Sequence, residues 1–121
     1  KEKTFCNKLL SLFSFYLGNC SQEDKQFDKL IKDTFYLYLN IENKYIKQKN
    51  EEYYDFIHKI VDEIFTEMIE IDYIKNDSKK FIPSLIATAD GMYLQSMTLE
   101  NYDIKKNLID YIDILNECLK I

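Results

Sequence analysis

The sequence predicts an all-α protein, a helical bundle of about five helices, on three observations. Apolar residues recur every three or four positions over long stretches, as a helix with one buried face requires. The 121 residues include only two Gly and one Pro, so little interrupts helix propagation. No segment favours the two-residue alternation of a half-buried strand over a helical period. With 46% hydrophobic residues, the chain carries enough apolar material for one core, and 1–121 reads as a single domain.

The first helix is read over Thr4 to Leu17, where Phe5, Leu9, Leu10, Leu12, Phe13, Tyr16 and Leu17 fall at helical spacings and cover more than half the circumference. Gly18 and Asn19 tolerate the left-handed conformation that closes a helix. Ser21, followed by Glu23 and Asp24, reads as an N-cap with acid in the first turn. A second helix then runs to about Leu39 on Phe27, Leu30, Ile31, Thr34, Phe35, Leu37 and Tyr38. Its end, Phe35 to Leu39, would also suit a strand, but the preceding period and the length favour helix.

The third and longest helix, about Ile41 to Ile71, follows the 3.6-residue period closely from Tyr53 through Phe56, Ile57, Ile60, Val61, Ile64, Phe65, Met68 and Ile69. Before Tyr53 the residues are mostly polar, which fits an exposed helical extension or a loop, and one long helix is preferred. Asp72 to Lys80 is a turn cluster in which Asp77 or Ser78 should cap the fourth helix. Pro83 falls in the first turn of that helix, where its missing N–H does no harm, and the helix runs to about Thr98. After the turn Asn101-Tyr102-Asp103, with Asp103 as cap, Ile104, Leu108, Ile109, Tyr111, Ile112, Leu115, Cys118 and Leu119 mark the last helix.

Composition narrows the function. A net charge of −5 opposes a phosphate-binding surface, so this chain should not hold DNA by itself. No apolar run approaches the roughly 18 residues of a membrane span, and Cys6, Cys20 and Cys118, odd in number and far apart, fit reduced thiols in a cytoplasmic protein. The chain opens Lys-Glu-Lys-Thr-Phe without a signal-peptide pattern and reads as a piece of a longer protein.

Few residues suggest chemistry. His58, the only imidazole, has Asp55 and Asp62 three and four residues away on one helix face, a pattern compatible with a metal or proton relay. A single His without His or Cys partners is a poor ligand set, and a charged, partly exposed stripe is the preferred reading. No Gly-rich phosphate loop, nucleophile elbow or H-E-x-x-H is present, so no enzyme activity, metal or cofactor is expected. Phe13, Tyr16, Phe35, Tyr38, Tyr53, Phe56, Phe65 and Tyr93, from four helices, could wall an apolar cavity, although for most of them plain core is the stronger reading. The fourth helix carries Ser84, Ala87, Thr88, Ala89, Gly91 and Ser96 among its apolar residues. Gly91 costs about 1 kcal/mol against Ala there, which suggests tight packing or a site. Asp90 beside it is exposed, paired across an interface or turned toward a ligand.

The segment Leu85-Ile86-Ala87-Thr88-Ala89-Asp90-Gly91-Met92-Tyr93-Leu94-Gln95, a short acidic turn and the helix Ile104 to Leu119 together resemble the end of TetR-family transcriptional regulators, where A-L-x-x-x-x-D-G-x-x-L-Q precedes a final Leu-rich helix. The upstream helix order is similar too. The resemblance implies an effector-binding and dimerisation domain of a repressor-like protein, with the last two helices of each subunit forming a four-helix interface in a homodimer. Ile86, Ala89, Tyr93, Leu108, Ile112 and Leu115 would form that seam. The aromatic residues named above, with Asp90, would enclose a small apolar or cationic effector. This chain has no helix-turn-helix, so the resemblance places a DNA-binding head of roughly 50 residues upstream of Lys1. Two competing readings are a helical protein–protein interaction module without a ligand cavity and a helical enzyme working through His58.

Overall fold

The computed structural model describes residues 2–14 and 42–121. They form α1 (Glu2–Leu12), α2 (Lys44–Glu70), a 3-10 turn (Ser78–Phe81), α3 (Ile82–Thr98) and α4 (Ile104–Leu119). The fold is all-α, and the described residues contain no strand beyond an isolated antiparallel bridge between Ile74 and Lys120. None of the described helices is long and apolar enough to cross a membrane. The helix read from Ser21 to about Leu39 lies outside the described residues.

Phe5 and Leu9 of α1, and Phe13 just past its end, recur every fourth residue and are buried. Phe5 meets the Phe65 ring edge-on at 5.4 Å and the Tyr73 ring at 6.3 Å, which holds α1 against α2. The Lys8–Glu67 ion pair spans the same junction, but both side chains are solvated and it adds little. The helix ends at Leu12, earlier than its periodicity suggests. There Ser14 Oγ donates to the Ser11 carbonyl at 2.8 Å, a local bond that competes with helix continuation.

Asn43 starts α2: its side-chain oxygen accepts from the N–H groups of Tyr45 (3.0 Å) and Ile46 (3.2 Å). This cap sets the start at Lys44 rather than Ile41. At 27 residues α2 is about 40 Å long. Its fully buried residues, Ile57, Val61, Ile64, Phe65 and Met68, all lie in the second half, and the first half is the exposed extension that its polar composition suggests. The helix closes in a Schellman motif. Asp72 adopts φ 57°, its N–H donates to Ile69 O, and the Tyr73 N–H donates to Met68 O, both at 2.9 Å.

Neither Asp77 nor Ser78 caps α3. The chain winds a 3-10 turn first, and the N–H of Ile82 bonds to the Lys79 carbonyl, so entry from one helical turn into the next replaces a side-chain cap. Asp77 pairs with Lys80 at 3.1 Å instead, and Ser78 is buried. Pro83 does sit in the first turn of α3, and Asp103 does cap α4 by accepting the Lys106 N–H at 3.1 Å.

α1 and α3 each pack against both α2 and α4. Tyr93 of α3, Phe65 of α2, Ile112 of α4 and Leu9 of α1 are among the side chains sealed at the centre. The end of α4 is fastened to the link after α2: Lys75 N–H donates to Leu119 O (2.9 Å), Ile121 N–H to Tyr73 O (3.0 Å), and Tyr73 Oη to buried Asn116 Oδ1 (2.8 Å). Cys6 is buried and Cys118 exposed, and neither forms a disulfide among the described residues.

The position of each aromatic in this packing predicts its energetic weight. Phe65→Ala should cost about 3–5 kcal/mol in urea unfolding, whereas Phe56→Ala, on the solvated side of α2, should stay within about 0.5 kcal/mol. Equal losses at the two positions would contradict the packing.

Candidate functional site

Between α2 and α3 lies an open cleft of about 340 Å³, lined by Tyr54, His58, Pro83, Ile86, Ala87 and Asp90. Tyr54 and His58 are four residues apart on α2 and so share one helix face. Ile86, Ala87 and Asp90 face them from α3, and Pro83 stands at one end where α3 begins.

Tyr54 Oη donates to Asp90 Oδ2 at 2.5 Å, joining two half-buried side chains 36 residues apart. Bonds from a neutral donor to a carboxylate are among the stronger hydrogen bonds, and this one ties α2 to α3 at the edge of the core. The Tyr53 ring meets the Tyr54 ring edge-on at 5.2 Å and supports its orientation. His58 is exposed at the cleft edge and makes no hydrogen bond or ion pair among the described residues. Of its two helix-face neighbours, Asp62 is drawn to Lys79 at 3.2 Å. No group of three potential metal ligands forms among the described residues. A second open depression, about 400 Å³ and lined among the described residues by Thr66, Ile69, Glu70, Asn76 and Lys79, has its Lys79 ammonium already engaged by Asp62.

The expected aromatic cavity does not assemble from the described residues. Phe13, Phe65 and Tyr93 are core side chains at 2%, 0% and 1% exposure, because the helices close directly on one another. Phe56 is 61% exposed, on the opposite side of its helix from the core. Tyr53 is half-buried and acts on the cleft through Tyr54. Tyr16, Phe35 and Tyr38 lie outside the described residues. Of the described members of the expected ligand set, Asp90 alone lines the cleft. Its neighbours Tyr54 and His58 carried one legible signal, their four-residue spacing on a helix. Nothing in the sequence joins Tyr54 to Asp90.

The positions expected for a dimer seam lie inside the single chain. Ile86, Ala89, Tyr93, Leu108, Ile112 and Leu115 are all buried at 7% exposure or less within the single chain. The apolar stripes of α3 and α4 are used against each other and against α1 and α2, so those six positions do not form an outward face. The small residues of α3 divide accordingly: Ala89 points into the core, while Ser84 and Ala87 are exposed. Among the described residues, nothing lies within 4 Å of where a Cβ on Gly91 would sit, so close packing of a described element does not require this glycine.

Two measurements check this geometry. In a double-mutant cycle of Tyr54→Phe and Asp90→Ala, each of which removes one partner of the bond, the coupling energy should be about 1 kcal/mol, and additivity of the two losses would show that the bond contributes nothing. Gly91→Ala should raise stability by about 0.5–1 kcal/mol when unfolding is followed at concentrations where the chain is monomeric, and a loss would show that its surface is covered. In comparisons with protein-family models, with curated proteins and with solved structures, nothing matches this chain.

Proposed function

We propose that this chain is the effector-binding and dimerisation domain of a TetR-like transcriptional regulator, acting in the cytoplasm and controlling DNA binding by a helix-turn-helix head. The observation that carries the reading is the cleft between α2 and α3, where Asp90 and His58, the two oddities of the sequence, open onto one apolar-floored space. Support also comes from helix order: a long helix, a short link, the Asp90-Gly91 helix and a final helix follow one another as in the family the sequence resembles.

A ligand held between α2 and α3 can bias their spacing, and a hundredfold preference for one arrangement corresponds to about 2.7 kcal/mol. Homodimerisation belongs to the same reading. Because the inner faces of α3 and α4 are occupied within the chain, a second copy would dock on their outer faces, where Leu94 is 40% and Ile114 63% exposed.

A thermal-shift panel of small apolar and cationic compounds tests the proposal. Compounds that raise the melting temperature of the chain are expected, with the shift lost in Ala87→Trp, which fills the cleft from an exposed position. A panel without hits, or hits indifferent to Ala87→Trp, would count against the cleft. The competing reading, an interaction module without a ligand cavity, is favoured by exposed Tyr45 and Phe56 on α2 and would gain from such a result.

A further inference from the structure

We infer that the link between α2 and α3 is built around internal water, which accepts from the side-chain amide of Asn116 and bonds the hydroxyl of Ser78. Both residues are sealed, Asn116 at 1% and Ser78 at 0% exposure, and the protein leaves both incompletely bonded. Tyr73 Oη donates to Asn116 Oδ1, but Nδ2 meets no hydrogen-bond partner among the described residues, and neither does Ser78 Oγ. Leaving one such group dry lowers the folding equilibrium constant by about five- to 150-fold, and buried polar atoms are therefore paired as a rule, with protein or with ordered water.

The surroundings select water as the partner. The carbonyls at the end of α4 are each bonded once already: Asn116 O accepts the Lys120 N–H, Leu119 O the Lys75 N–H and Cys118 O the Lys75 ammonium. Each keeps a second lone pair, so a molecule that accepts from Nδ2 and can also donate suits the site, and water does both. An ion would bring an uncompensated charge into an apolar junction closed by Ile74 and Leu119, at far greater cost. Ser78 is the inward residue of a turn whose neighbours Asn76, Asp77, Lys79 and Lys80 are all exposed. Its N–H is spent on the Lys75 carbonyl at 3.1 Å, while its hydroxyl, with one donor and two acceptor sites, is buried unused. A buried water makes about three hydrogen bonds, to groups of this kind. Both sites belong to the connection between the helices that wall the cleft, and the inference holds whether or not the cleft binds an effector.

The test is a pair of laboratory-frame and rotating-frame Overhauser spectra of the 121-residue chain at neutral pH. The Asn116 side-chain amide protons should give cross-peaks to water with the sign of a molecule that tumbles with the protein, whereas the exposed Gln95 amide should show the sign of freely exchanging solvent. The Asn116 peaks should persist in Tyr73→Phe, where no hydroxyl remains to relay exchange. In urea unfolding, Ser78→Ala should lower the folding equilibrium constant by about tenfold, because it takes a partner from a water that stays. A dry hydroxyl would give the opposite sign, since alanine would then remove an unpaired group. The inference is overturned if Asn116 gives no such peaks, if they vanish in Tyr73→Phe, or if Ser78→Ala leaves stability unchanged or raises it.

Discussion

The apolar face of α3 can be buried only once, and the rest of the structure depends on where this happens. Ile82, Leu85, Ile86, Ala89 and Tyr93 turn toward α2 and α4 of the same chain and are sealed there. Burying a side chain the size of Tyr93 or Leu85 is worth roughly 1.5–3 kcal/mol, so withdrawing this stripe to serve a partner would remove much of what holds the bundle closed. With the inner face fixed, helical geometry assigns the other positions. Asp90, one residue past Ala89, comes to the edge of the buried stripe, and Ala87 comes out to solvent.

The cleft follows from that assignment. A carboxylate at the edge of an apolar stripe is costly unless something bonds to it, and Tyr54 of α2 supplies a hydroxyl. The same turn of α2 presents His58, and the opening of α3 presents Pro83. The site is therefore a by-product of how two helices pack: apolar residues hold them together, and the first polar positions beyond the core meet in the open groove. The clasp between Lys75 and Leu119, with Tyr73 bonded to Asn116, fixes the link between α2 and α3 and so limits how far α3 can move along α2.

Periodicity made the helices legible and left their neighbours unspecified. The long run from Tyr53 to Ile69, the break at Asn101 and the cap at Asp103 could all be read because each is encoded within a few residues. The Asn43 cap was equally local but was obscured by the apolar Ile41 just before it. The 3-10 turn at Ser78 was hidden because a helical turn leading into another helix leaves no distinctive cap residue. For the seam, the sequence marked Ile86, Ala89, Tyr93, Leu108, Ile112 and Leu115 as apolar stripes, and their burial agrees. Spacing reports that a face is covered but not whether its own chain or a partner covers it. Asp90 was legible as an anomaly, whereas its bond to Tyr54, across 36 residues, is a product of tertiary packing that no local pattern contains.

The central claim, that α3 spends its apolar face inside its own chain, is most directly tested by cysteine accessibility. In a background with the native cysteines replaced by serine, Ala87→Cys and Ala89→Cys would be exposed to a maleimide in dilute, monomeric protein. The account predicts fast labelling at 87 and strong protection at 89, with the protection independent of protein concentration. Fast labelling at 89 in the dilute chain, slowing as concentration rises, would contradict it and return that face to a partner subunit.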